Sequence, residues 1–217
     1  ERGVKNIAFY DDALLSEADR SLVPFLDSVI RDGVHVNFHT PNALNARFMD
    51  RRLADLMVRA GFRTFFLGME SISADWQGRV GGKVRRGEVE AAVNHLTAAG
   101  ADRRELAAYV IIGHPDFQQQ DVEGTMKFAR SLGIRVMLSD FSPVPGTPDG
   151  DRALAGIQAE EPLTHNKTAH TIRVLGWERT QELKALCREL NANSTHGSDG
   201  QEEEFEPSSS AEVDRIT

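Results

Sequence analysis

A single cysteine, Cys187, stands among 217 residues. One thiol excludes an internal disulfide and any metal site built from several cysteines. Long apolar runs are missing too: nothing approaches the ~20 residues of a membrane-spanning helix. No signal peptide is visible, since Glu1-Arg2-Gly3-Val4-Lys5 leads straight into a predicted strand, and a cytoplasmic location is the expectation. Basic surplus is absent as well. The net charge is −8, of which the segment from Asn193 onward carries −6, with seven acids against Arg215 alone. A near-neutral body offers no footprint for a phosphate backbone, so generic nucleic-acid binding is not expected. The initiator methionine is also lacking, and the expectation is a piece whose front is missing.

What is present is a rhythm. Four helical segments are predicted, each closed by glycine. Leu22, Phe25, Leu26, Val29 and Ile30 form the first, with Ser16 and Asp19 as start signals and Gly33 as the stop. Leu53, Leu56, Met57 and Ala60 lead to Gly61, Val89 through Leu96 to Gly100, and Val122, Phe128 and Leu132 to Gly133. Glycine takes the left-handed conformation past a helix end most cheaply, so the four stops mark four helix ends. Between them lie strand candidates at Val4–Tyr10, Val34–Thr40, Thr64–Glu70, Leu106–Gly113 and Arg135–Asp140. This βαβαβαβαβ order requires parallel strands and right-handed crossovers, hence an α/β fold with a parallel sheet covered by helices. In the second strand Val34, Val36 and Phe38 share one face, and His35, Asn37 and His39 the other. The apolar face is expected to meet helices and the polar face to line an interior.

After Pro148 the rhythm stops. Residues 149–163 read as a loop and about Thr168 to Leu190 as one helix. Beyond Asn191 the composition is that of a disordered acidic tail. The predicted organisation is therefore a partial (β/α) barrel over 1–148, a loop and helical extension over 149–192, and the tail over 193–217.

Parallel strands place functional groups at their C-terminal ends. Those ends read Tyr10-Asp11-Asp12, His39-Thr40-Pro41-Asn42, Glu70-Ser71, Gly113-His114-Pro115-Asp116 and Asp140-Phe141-Ser142-Pro143. Glu70, a carboxylate closing an apolar strand, is costly there unless paired or turned to a ligand. Gly81-Gly82-Lys83 is no phosphate loop, because Gln77 and Val84 stand where that motif needs glycine and a hydroxyl. His35 and His39, four strand residues apart, are separated by about 13 Å at ~3.3 Å per residue, too far to share one ion.

An ordered set of segments resembles the radical S-adenosylmethionine (SAM) superfamily. It comprises Phe9-Tyr10-Asp11-Asp12-Ala13-Leu14-Leu15, Phe38-His39-Thr40-Pro41-Asn42-Ala43-Leu44, Leu67-Gly68-Met69-Glu70-Ser71 and Arg79-Val80-Gly81-Gly82-Lys83-Val84. Tyr109-Val110-Ile111-Ile112-Gly113-His114-Pro115, Ser142 to Pro148 and Glu161 to Asn166 extend it, towards the branch that often carries an N-terminal cobalamin-binding domain. The resemblance implies a (β/α) barrel lacking its first strand and SAM as a cofactor. It further implies a [4Fe-4S] cluster that cleaves SAM reductively, an external electron donor, a small-molecule substrate and, in that branch, cobalamin-dependent methyl transfer. The family's Cys-x3-Cys-x2-Cys loop is not in this chain. Its expected place is upstream of Glu1, and the chain alone is expected to lack cluster chemistry; a degenerate, cluster-free relative is the other reading.

By the same resemblance Asp11, Asp12, Glu70, Ser71, Arg79, Lys83, Ile111 and Gly113 are SAM-contact candidates. Asp11 and Asp12 fall where the family meets the SAM amino group, Glu70 where it binds the amino group or ribose hydroxyls. Arg79 and Lys83 suit a carboxylate. Ile111 and Gly113 fit the adenine-supporting strand, although Tyr109 and Asp116 depart from its glycine and glutamate. His39 and Asn42 are substrate candidates. Capping for the aspartates, core packing for Ile111 and an inert buried thiol for Cys187 remain open beside these roles. Two other functions stay open: a cluster-free binding module, and a barrel lyase or hydrolase using Asp11, Asp12 and Glu70 as acid–base groups.

Overall fold

The computed structural model describes residues 3–73, 84–156 and 166–192. Arg79, Gly81, Gly82, Lys83 and the segment from 193 onward lie outside these residues. Five parallel strands form one sheet in the order β1-β2-β3-β4-β5. They are β1 (Asn6–Ala8), β2 (Asn37–Leu44), β3 (Phe62–Glu70), β4 (Leu106–Ile112) and β5 (Arg135–Asp140). Helices α1 (Leu22–Arg31), α2 (Arg51–Ala60), α3 (Arg86–Ala98) and α4 (Gln119–Ser131) fill the crossovers. The expected parallel α/β fold is thus present, with strands in sequential order as in the wall of a (β/α) barrel.

Burial separates the two faces. Phe65, Leu67 and Met69 of β3 and Ala108, Val110 and Ile112 of β4 are at most 1% exposed and belong to the helix-covered core. Their neighbours Phe66, Gly68, Glu70, Tyr109 and Ile111 point the other way and are half-buried. Each fully buried side chain of the first set contributes about 1.5–3 kcal/mol, so the covered face carries the stability. The open face is left for a ligand.

At the β1 end the core is aromatic. Phe9 stacks on Phe62 at 5.6 Å, and Phe38 lies 5.2 Å from Phe62 and 5.6 Å from Phe25 of α1. This agrees with the predicted alternation at Phe38 but not at Val34, which is 45% exposed and precedes the strand. All four predicted helix-stop glycines, Gly33, Gly61, Gly100 and Gly133, have positive φ.

Strand β1 is shorter than Val4–Tyr10, β2 runs from Asn37 to Leu44 instead of Val34 to Thr40, and three helical readings also need correction. Helix α1 does not start at Ser16 or Asp19: Glu17 has φ +51, which no helix interior tolerates, and Ser21 is the N-cap residue. Residues 149–163 are not a plain loop. Helix α5 (Pro148–Leu154) begins on a Thr147 side chain that accepts from the Gly150 N–H, with Pro148 in the first turn and Asp149 and Asp151 beside it. The predicted late helix is two, α6 (Lys167–Leu175) and α7 (Trp177–Ala192), broken at Gly176 with φ +79 and ψ 159. No helix among the described residues is long and apolar enough to cross a membrane.

Candidate functional site

The C-terminal ends of the strands surround an open cleft of about 530 Å³ on the uncovered face. Asp12 comes from the loop after β1, Asn42 and Leu44 from β2, and Gly68 and Glu70 from β3. Tyr109 and Ile111 of β4, Ser139 of β5, Val84 and Lys167 at the start of α6 complete most of the wall. Lys167 is the one cation lining the cleft among the described residues. Apolar surface at Ile111, Leu44 and Val84 thus lies between carboxylates and a lysine, a mixture suited to a ligand with a flat apolar part and charged ends.

Glu70 is held there by backbone geometry. It ends β3 with φ +55, and the register between β3 and β4 slips between Gly68 and Glu70. Left-handed backbone in a non-glycine residue costs roughly 1–2 kcal/mol. Strain of this kind collects at functional sites, and Glu70 lines the cleft at this strand end. The β2 side has its own irregularity: Thr40 pairs with Phe65 and Leu44 with Leu67, so Pro41 to Ala43 bulge from the ladder. Proline, which cannot donate to a ladder, fits such a bulge. Its carbonyl accepts a hydrogen bond from the Tyr109 hydroxyl at 3.0 Å. Burial raises the Tyr109 phenol above its ordinary pKa, so it stays protonated and can donate.

Four predicted residues, Asp12, Asn42, Glu70 and Ile111, meet in this cleft. Asn42 turns inward: its amide donates to the Tyr10 carbonyl and to Asp12 Oδ1, each at 2.8 Å. The other described candidates sit elsewhere. Asp11 caps its own turn by accepting from the Ala13 N–H at 2.8 Å. Ser71 is 1% exposed, and its Oγ accepts from the Ser73 N–H. His39 lies between Asn6 and Thr64, Nε2 at 3.1 Å from Asn6 Oδ1 and Nδ1 at 3.4 Å from Thr64 Oγ1. Gly113 packs against Thr171 of α6 instead of lining the cleft. Arg79 and Lys83 are outside the described residues. Sequence reasoning missed Tyr109, Ser139 and Lys167 as wall residues; alternation along β4 and β5 carried the signal for the first two, and nothing local marked the third.

A [4Fe-4S] cluster does not fit this donor set. No group of three or more metal-ligating side chains occurs among the described residues, and the whole chain holds one cysteine. Cys187 lies half-buried on α7 with Sγ 3.5 Å from the Val136 carbonyl. Burial pushes its thiol pKa up, opposite to the thiolate that iron ligation needs.

Comparison with known proteins gives a consistent picture. No protein-family model matches the chain. A curated relative, an uncharacterised methyltransferase of Pyrococcus horikoshii, is 28% identical over 156 residues, which cover 71% of this chain and 33% of the relative. Among solved structures, the radical SAM methyltransferase TsrM from Kitasatospora setae, with cobalamin and a [4Fe-4S] cluster bound, superposes with a TM-score of 0.63 at 14% identity. That match covers 93% of this chain and 47% of TsrM. Coproporphyrinogen III oxidase HemN from Escherichia coli, a radical SAM enzyme, gives 0.60 at 14% identity over 86% of this chain and 41% of HemN. The chain therefore spans less than half the length of the proteins it resembles. Its α/β fold is the one found in radical SAM enzymes.

Proposed function

We propose that the chain is the SAM- and substrate-binding part of a radical SAM enzyme, with cobalamin-dependent methyl transfer as the favoured reaction class. One observation carries this reading: Glu70 and Asp12 line an open-face cleft at the C-terminal rim of a sheet with this superfamily's fold. The methyltransferase relative and TsrM support the reaction class.

The cleft's residues suit SAM. Asp12 and Glu70 offer carboxylates to an amino group or to ribose hydroxyls, and charge-assisted bonds of this kind are the strong ones. Ile111 gives an apolar surface for a purine, and Gly68 presents bare backbone beside it. SAM supplies an activated methyl or, when reductively cleaved, a 5′-deoxyadenosyl radical; these residues bind and orient it. No step through an iron–sulfur cluster is assigned to this chain, because its donors do not fit one. A cluster serving this cleft takes its ligands from polypeptide outside these 217 residues.

The single cysteine also favours a second reading, a cluster-free barrel that binds a small molecule. Titration calorimetry with SAM and S-adenosylhomocysteine tests what the two readings do not share. Saturable one-to-one binding supports the first. Binding of neither nucleoside by a folded chain overturns it.

A further inference from the structure

Tyr109 is the largest side chain among the described residues of the cleft wall. It leaves β4 on the open face, where its register partner on β3 is Gly68. From there the phenol ring reaches over β3 to β2. There its hydroxyl bonds the carbonyl of Pro41 at 3.0 Å, inside the β2 bulge. Phe66, on the same face of β3, meets the ring edge-on at 5.7 Å and fixes its direction. Gly68 lies close under the bulge: a β-carbon there would stand 3.2 Å from Ala43 Cβ.

The residue after Pro41 is Asn42, whose amide holds Asp12 Oδ1 and the Tyr10 carbonyl at 2.8 Å each. A continuous line of contacts therefore runs from β4, over β3, through the β2 bulge to the loop after β1. Asp12 is exposed at the end of it. An exposed carboxylate on a loop gains little from pairing with a ligand unless its rotamer is fixed beforehand, because the ordering cost offsets the contact. The Asn42 amide supplies that fixing, and Asn42 is in turn placed by its neighbour's bond to Tyr109.

We propose that Tyr109 is a positioning residue: through Pro41 and Asn42 it sets the Asp12 carboxylate for the cationic amino group of a bound ligand. This rests on the reading of the cleft as a SAM site. A double-mutant cycle followed by two ligands tests it. S-adenosylhomocysteine carries the amino group, and 5′-methylthioadenosine carries the nucleoside without it. Affinities of both are measured by calorimetry for the wild-type chain, Tyr109→Phe, Asp12→Asn and the double variant, with thermal denaturation to confirm that each is folded.

Tyr109→Phe is expected to weaken S-adenosylhomocysteine about threefold to tenfold, the worth of one hydrogen bond, and to leave 5′-methylthioadenosine within about twofold. Asp12→Asn is expected to cost about tenfold or more. Adding Tyr109→Phe to it should cost less than about twofold further, because both act through one carboxylate. Asn42→Ala, which cuts the same line at another point, should reproduce the ligand selectivity. Equal weakening of both ligands would make Tyr109 a packing residue only, and additive losses would make it independent of Asp12; either overturns the assignment while leaving the SAM reading intact. Failure of the wild-type chain to bind either ligand overturns both.

Discussion

A β-carbon added to Gly113 would lie 2.6 Å from the hydroxyl oxygen of Thr171 and 3.0 Å from its α-carbon. That contact is where helix α6 rests on the end of β4. His170 Nε2 lies 3.2 Å from the Gly113 carbonyl, and Thr168 donates to Asp140 at 3.1 Å, so one turn of α6 is fastened to two strand ends. The glycine serves this close approach, and by it Lys167 arrives at the cleft rim.

Replacing Gly113 with alanine should therefore destabilise the fold. Two costs combine, the left-handed φ of +79 and the clash with Thr171. Together they amount to about 2–4 kcal/mol. Urea denaturation reads it as a lowered midpoint. Gly113→Ala combined with Thr171→Ser should not recover the loss, since the oxygen and α-carbon that clash remain.

Acid should loosen the same region before it affects the rest. His114 is 4% exposed between Phe117 and Phe141, and His170 is 1% exposed on the face of α6 that meets the end of β4. Burial lowers both imidazole pKa values. For His114 the Asp149 carboxylate at 3.4 Å opposes this without overcoming it, and for His170 the Arg173 guanidinium adds to it. A folded pKa below the unfolded value means that the unfolded chain takes up protons first. Stability contributed by the neutral rings is present above about pH 6.5 and is lost as pH falls from there toward the lowered folded values. The slope is at most about 1.4 kcal/mol per pH unit for each ring. Denaturation midpoints between pH 7 and 5 should fall, and less steeply in His114→Gln.

The sheet was readable because its signals are local. Strand β5 has the bounds that alternation and flanking residues predict, Arg135–Asp140, and four glycines with positive φ close the first four helices. Elements whose limits depend on distant partners were misread. Seven-residue α5 is too short to show periodicity, and its local marks are confined to the Thr147 cap, Pro148 and two first-turn acids. Within the site, Asp12, Asn42 and Glu70 were legible as polar residues at strand ends. The duties of Gly113, His39 and Tyr109 were not, because Thr171, Asn6 and Pro41, which decide them, lie 58, 33 and 68 residues away in sequence.

Cys187 should prove dispensable. Its Sγ lies 3.5 Å from the Val136 carbonyl of β5 and 3.7 Å from Asn191, on the helix-covered side of the sheet. Cys187→Ala is expected to cost no more than about 2 kcal/mol of stability and to leave nucleoside affinity unchanged. Anaerobic treatment of the wild-type chain with iron and sulfide should yield no [4Fe-4S] absorption. A stoichiometric cluster spectrum would show that the chain does hold iron ligands for a cluster.

The most direct measurement on the whole account is calorimetric titration of S-adenosylhomocysteine into the wild-type chain and into Glu70→Gln, with a thermal melt of each. Glu70, left-handed at the end of β3 and lining the cleft, is expected to support saturable one-to-one binding. Its neutral isostere should bind about 10- to 100-fold more weakly, the worth of a charge-assisted hydrogen bond, with both chains cooperatively folded. Equal affinities for the two chains, or no binding to a folded wild-type chain, would contradict it.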